Sequence, residues 1–164
     1  GGGPAATIEP LKEHLVDYRL HLLNNLGYGA QSCYRGPRLY DAPETKAMVQ
    51  QWVQWFKARR DILESDVIHV RRADGRRIDG VVHVNPNLPT KAMAVLYNPT
   101  SGLLTEEIEL PLYYAGLAGR ASIEGGDSDG GKMRRRTLSL DGSTARIKIT
   151  VPPMGMSWIE FRSP

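Results

Sequence analysis

The chain has 164 residues, a formal net charge of +3, and hydrophobic and charged fractions of 41% and 24%. These values are typical of a folded protein and argue against wholesale disorder, and no apolar run approaches the roughly 20 residues that a membrane-spanning helix needs. Seventeen glycines and eleven prolines indicate many turns and exclude a purely helical bundle, while a single cysteine, Cys33, cannot form an intramolecular disulfide.

The first nine residues are rich in glycine, and we expect them to be flexible. The chain begins at Gly1 without an initiator methionine and without a signal-like apolar segment. We therefore interpret this beginning as that of a processed product or of a fragment.

A first helix is predicted from Pro10 to about Asn25. Proline suits the first turn of a helix because its missing N–H would have no partner there. The apolar residues that follow recur at helical spacing and form one stripe: Leu11, Leu15, Tyr18, Leu22 and Leu23. Glycines then interrupt the pattern, and the alternation over Gly27–Tyr34 predicts a short strand.

A second helix is predicted over Pro43–Leu63. Asp41 can act as its cap, and Pro43 lies in its first turn. Trp52 and Phe56 fall on the apolar stripe, so we interpret them as core residues, whereas Trp55 lies off that stripe and is predicted to be partly exposed.

From Asp66 onward the hydrophobic period changes from 3.6 to 2, which predicts strands. The short runs are 67–71, 78–85, 92–98, 106–114, 121–124, 132–140, 144–151 and 157–161. Eight short strands with turn residues between them favour an all-β antiparallel β-sandwich. We therefore divide the chain into a helical, βα-like segment over residues 10–64 and a C-terminal β-sandwich domain over residues 65–164.

Several phrases of the sequence resemble the C-terminal end of bacterial (β/α)8-barrel glycoside hydrolases of the α-galactosidase-like kind. They are CYRGPRLYD from Cys33, WFKARRDIL before residue 64, the strand pair from Asp66 to Pro86, KAMAVLYNPT and LPLYYAGL. The resemblance implies that Gly27–Tyr34 is the last barrel strand and Pro43–Leu63 the last barrel helix. The β-sandwich would follow the barrel, and a secreted or periplasmic location is also implied.

Barrel active sites lie at the carboxyl ends of the strands. Under the resemblance, four residues would contribute to that rim and could bind substrate: Cys33, Tyr34, Arg35 and Arg38. An equally good interpretation is that the two arginines tie this loop to the start of the next helix at Asp41 or Glu44. No acidic pair occupies a position suited to glycoside hydrolysis, so we expect no catalytic carboxylates in this chain.

We expect no metal and no cofactor. With a tight turn at Asp74-Gly75, Asp66 would face His83 across a hairpin, which is better explained as a cross-strand pair than as a metal site. The acidic, glycine-rich residues 125–131 lack the ligand pattern of a calcium loop and are interpreted as a flexible hairpin loop.

The leading hypothesis is the C-terminal part of a carbohydrate-active hydrolase, inactive alone, whose sandwich supports an upstream catalytic barrel. Its expected partners are that barrel and a carbohydrate substrate, with no membrane. One alternative is a carbohydrate-binding module that uses exposed aromatic residues, with candidates Tyr97, Tyr113, Tyr114 and Trp158, although adjacent tyrosines on a strand would point to opposite faces. A second alternative is nucleic-acid binding through the clusters 71–77 and 134–136, where interleaved aspartates weaken the positive field.

Overall fold

The structure, a computed structural model, describes residues 8–30 and 36–164, and the chain divides into two compact units between Arg60 and Asp61. In the first unit a 3-10 turn, Leu11–Glu13, precedes helix α1, Leu15–Gly27, and helix α2 spans Pro43–Lys57. A short helix α3, Arg60–Leu63, lies at the division. None of the helices in the described ranges combines the length and apolarity that crossing a membrane requires.

Helix α1 buries most of the predicted apolar stripe. Leu11, Tyr18 and Leu22 pack in one cluster with Val49 of α2, and the Tyr18 hydroxyl donates a hydrogen bond of 2.8 Å to the Leu39 carbonyl. The helix continues to Gly27, and a turn follows at residues 28 and 29. The predicted strand therefore does not start at residues 27–30, and the rest of it, 31–34, lies outside the described residues.

Helix α2 begins with proline in its first turn, as the sequence predicts, but its N-cap residue is Ala42 and not Asp41. The buried Thr45 hydroxyl accepts hydrogen bonds from the Ala42 and Asp41 amides at 3.0 and 3.1 Å. The helix ends at Lys57, short of the predicted Leu63. The exposure predicted for Trp55 is wrong, because this ring is buried against Trp52 with the Arg59 guanidinium 5.5 Å from its centroid.

The second unit is an antiparallel β-sandwich, which confirms the predicted fold class. Its eight strands are β1 Asp66–His69, β2 Asp79–Val84, β3 Ala92–Tyr97, β4 Leu104–Pro111, β5 Arg120–Asp127, β6 Lys132–Ser139, β7 Thr144–Val151 and β8 Met156–Arg162. Sheet A has the order β1-β2-β3-β8-β5-β6, and sheet B pairs β4 with β7.

The sandwich core lies between the two sheets. Sheet B contributes alternate apolar residues of its strands, including Ile108, Leu110 and Ile147, and sheet A contributes Ile123 and Phe161. The alternation in β4 and β7 leaves their other face to charged residues and threonines. Strands β2 and β3 differ, because nearly all of their residues are buried.

The register of the β1–β2 hairpin differs by one residue from the prediction. Asp66 pairs with Val84, and His83 pairs with Val67, so Asp66 and His83 are not opposite each other. The connection is longer than a two-residue turn: the Asp74 carboxylate accepts the Arg76 and Arg77 amides, both at 2.9 Å, inside a loop that runs from residue 70 to residue 78.

Strand β6 forms one edge of sheet A and carries an unusual concentration of positive charge. Lys132, Arg134, Arg135 and Arg136 lie on it, and all four are exposed. Strand β1, at the opposite edge, is only four residues long.

Candidate functional site

Of the four residues predicted at a barrel rim, Cys33, Tyr34 and Arg35 lie outside the described residues. Arg38 is described and lies in an exposed loop, where its guanidinium forms an ion pair of 3.4 Å with Glu9. Besides this ion pair, the Arg38 charge acts on Asp41 at the start of α2, so the alternative interpretation, in which the arginines tie the loop to the next helix, stays open. A substrate-binding role for these four residues stays a prediction.

The start of α2 is organised around the Asp41 carboxylate. It accepts hydrogen bonds from the Lys12 amide at 3.3 Å and from the Thr45 hydroxyl at 3.2 Å. Desolvation acts to raise the pKa of Asp41, but these hydrogen bonds and the positive charge of Arg38 outweigh it, and the pKa is lowered. This carboxylate is a structural acceptor that joins the 3-10 turn before α1 to the first turn of α2.

The candidate metal positions on the β1–β2 hairpin do not converge. His83 is buried within β2, whereas Asp66 and His69 lie exposed on β1. In residues 8–30 and 36–164, no group of three histidine, cysteine, aspartate or glutamate side chains could hold a metal ion. The glycine-rich loop closes a tight turn instead, in which the Asp127 carboxylate accepts the Asp129 and Gly131 amides at 2.9 and 2.8 Å.

Two carboxylates do lie side by side on the face of sheet A that points away from the core. Glu124 of β5 is directly opposite Glu160 of β8, and Arg162 contacts both, at 2.8 and 2.9 Å. Arg135 also pairs with Glu124 at 2.9 Å, and the Thr90 hydroxyl accepts from Arg162. Because guanidinium groups hold both carboxylates as ion pairs, we interpret the cluster as a clamp between strands and not as an acid–base pair.

The four candidate aromatic residues fall into different environments. Tyr97 is buried at the end of β3. Trp158 is half-buried on β8 opposite Gly126, where a Cβ atom would lie 2.9 Å from the indole ring. Neither ring is an open sugar platform, because the first is enclosed and the second lies tightly over the neighbouring strand.

Tyr113 and Tyr114 form the exposed aromatic pair of the sandwich. The prediction that they point to opposite faces of a strand is wrong, because β4 ends at Pro111 and these residues form a 3-10 turn, Tyr113–Ala115. Their side chains are 72% and 67% exposed, and their rings meet edge to face with centroids 5.3 Å apart. Pro111 and Gly116, on either side, are the sequence signal that a strand stops here.

Each of the two arginine clusters is partly neutralised by ion pairs. Arg71 pairs with Glu106 at 2.9 Å, Arg77 with Asp74 at 2.9 Å, and Arg135 with Glu124. Hydrogen bonds from the Arg76 amide and then from the Arg77 guanidinium hold the pKa of Asp74 well below its usual range. A phosphate backbone would have to compete with these carboxylates, so the arrangement does not favour nucleic-acid binding.

No protein-family model matches the chain, and no curated protein matches its sequence. Its fold, however, is similar to parts of several solved structures. A GH27 β-L-arabinopyranosidase variant from Geobacillus stearothermophilus, in complex with arabinose, aligns over 91% of this chain with a TM-score of 0.55 and 8% identity. The type I pullulanase of Bacillus subtilis, complexed with maltose, aligns over 95% with a TM-score of 0.55 and 9% identity.

AmyP in complex with maltose aligns over 93% of this chain with a TM-score of 0.53 and 10% identity. The chain covers 31%, 24% and 35% of the arabinopyranosidase, the pullulanase and AmyP respectively. The chain therefore has the fold of a part of each of these three proteins, about a quarter to a third of their length. Identities of 8–10% establish the similarity of fold alone.

Proposed function

We propose that this chain is the C-terminal portion of a carbohydrate-active glycoside hydrolase, in which the β-sandwich supports a catalytic barrel and is not catalytic alone. The observation that carries the proposal is the coverage of the fold: at least 91% of this chain aligns with glycosidase structures of which it covers only 24–31%. High coverage of this chain with low coverage of the other is expected when the chain corresponds to one portion of a larger enzyme.

The chemistry of the described residues supports a non-catalytic role. Hydrolysis of a glycosidic bond requires one carboxyl group that donates a proton and a second that acts as base or nucleophile. The neighbouring carboxylates of the sandwich, Glu124 and Glu160, are both bonded to Arg162. In the proposed enzyme the catalytic pair comes from the barrel strands, and the helical unit with α1 and α2 belongs to the end of that barrel.

The test compares hydrolysis of a panel of aryl glycosides by this chain alone and by the product of its complete gene. We expect turnover by the complete product and no turnover above background by the isolated chain. Hydrolysis by the isolated chain that is lost in Glu124→Gln or Glu160→Gln would overturn the proposal, because the sandwich would then be catalytic. Failure of the complete product on every glycoside of the panel would also contradict it.

A second candidate function is carbohydrate binding by the sandwich itself. The observation that favours it is the exposed pair Tyr113–Tyr114, since large aromatic side chains that lie together in solvent commonly serve recognition. This candidate is compatible with the first, because a sandwich can both support a barrel and contact sugar.

A further inference from the structure

We infer that the Tyr113–Tyr114 pair is a binding site for one neutral pyranose unit of a saccharide chain. The inference rests on the proposed carbohydrate-active function for its biological setting, but its argument uses only the local structure of the sandwich.

The backbone is built so that both rings face solvent. In a strand, consecutive side chains would alternate, and one of the two rings would enter the core. The 3-10 turn places both outside instead, while Leu112 and Ala115 on either side are fully buried and anchor the segment. The exposure of the pair is therefore a property of this turn and not of a fraying strand end.

The site is also held rigidly. The Leu112 amide donates to the Ser143 carbonyl at 2.8 Å, and the Gly116 amide donates to the Tyr113 carbonyl at 2.9 Å. Gly116 has φ of 68°, a left-handed conformation that glycine adopts without strain. Because the backbone is already ordered and tyrosine has few rotatable bonds, ordering the site on binding costs little entropy.

The ring geometry fits one sugar ring better than an extended flat surface. The interplanar angle of 83° makes the pair an angular corner, with the face of one ring beside the edge of the other. A pyranose can place its C–H face on one ring, while a phenolic hydroxyl of the pair donates or accepts a hydrogen bond at the sugar's edge. A flat platform for several consecutive sugar units would need coplanar rings.

The tyrosine segment offers a ligand no charged side chain of its own. Residues 111–119 contain no aspartate, glutamate, lysine or arginine. Phosphate backbones are bound through lysine and arginine, which this segment lacks. By themselves the two tyrosine rings bury far less than the about 800 Å² that each side of a stable protein–protein interface buries.

The experiment is affinity electrophoresis of the full 164-residue chain in native gels. Separate gels contain soluble starch, galactomannan or xyloglucan as neutral probes, and one gel contains polygalacturonate as an acidic comparison. We expect retardation in at least one neutral gel, and about tenfold weaker binding for the Tyr113→Ala/Tyr114→Ala double variant. Tyr114→Phe, which keeps the ring, should retain most of the retardation.

Tyr40→Ala is the matched control, because Tyr40 is also exposed, at 44%, but lies in the helical unit beside Lys46. It should bind like the unaltered chain, and equal thermal melting of all variants shows that folding is unchanged. No retardation in any neutral gel, retardation confined to polygalacturonate, or undiminished retardation of the double variant would overturn the inference. The hydrolysis assay of the complete gene product is independent, so either proposal can fail while the other stands.

Discussion

The strands of sheet B and the β2–β3 pair of sheet A differ in the pattern of buried residues along each strand. In β4 and β7, buried residues alternate with exposed ones, and the exposed face pairs Glu107 with Lys148 and Thr105 with Thr150. In β3 every residue is buried, and in β2 every residue but the first. The pattern of an alternating strand predicts which of its faces is buried. A strand that is buried along its whole length is typical of a sheet with both faces covered.

The largest expected effect tests this difference with neighbouring residues. In β4, Leu110→Ala should lower the free energy of unfolding by about 2–5 kcal/mol, whereas Glu109→Ala should change it by less than about 0.5 kcal/mol. In β3, both Leu96→Ala and Val95→Ala should destabilise by more than about 1 kcal/mol, because both side chains are fully buried. Urea denaturation followed by circular dichroism measures all four, and a Val95→Ala variant as stable as Glu109→Ala would contradict the comparison.

A smaller effect is expected at Gly80, where β2 passes close to the backbone of β3. Gly80 has φ of 149°, and a Cβ atom there would collide with the Val95 carbonyl oxygen. We expect Gly80→Ala to destabilise by about 1–3 kcal/mol, the usual cost of overpacking. Gly102→Ala is the control, because nothing lies within 4 Å of its Cβ position. Equal melting temperatures for the two variants would show that the strands can separate without cost.

The smallest effect concerns Asp79, the first residue of β2, where the continuous burial begins. Partial burial and the negative charge of Asp74 raise the pKa of Asp79, although Arg71 opposes them. Because the folded protein holds this proton more tightly than the unfolded chain, stability falls as the pH rises from below the ordinary value of about 3.9 through the raised pKa. Asp79→Asn should therefore raise the melting temperature at pH 7, by less than about 4 °C, and the gain should vanish below about pH 3.9. If the Asp79→Asn variant keeps its higher melting temperature below about pH 3.9, the ionisation of this carboxyl is not the cause and the prediction is wrong.

The same contrast explains how much of the sandwich can be predicted from the sequence. The alternation of Ile108 and Leu110 is sufficient to predict β4 and the face that it buries. Alternation cannot fix the register of β1 on β2, because valines occur on both faces of β2 and its pattern does not define a single apolar face. The Asp74 carboxylate, by capping two amides of the loop, makes the connection longer than a two-residue Asp-Gly turn.

The exposure of both tyrosine rings could not be predicted from the sequence for a different reason. Tyr113 and Tyr114 continue the apparent alternation of β4, so the pattern assigns them to opposite faces. Only Pro111 and Gly116 distinguish a turn from a strand at this point. The residue before the pair, Leu112, donates its amide hydrogen bond to Ser143, 31 positions later in the chain. Long-range contacts of that kind leave no local signal, and the same holds for the clamp of Arg162 on Glu124 and Glu160.

The positive charge on β6 has a consequence for the protein at high concentration. A strand at the edge of a sheet offers unpaired amides and carbonyls to any second chain that approaches in extended conformation. When two copies meet along β6, Arg134, Arg135 and Arg136 of each would be brought against the same residues of the other, and their mutual repulsion opposes the growth of a continuous intermolecular sheet. We therefore expect the arginines of β6, of which Arg135 is paired with Glu124, to oppose aggregation through this edge, in a place where the sequence pattern by itself suggests contact with nucleic acid.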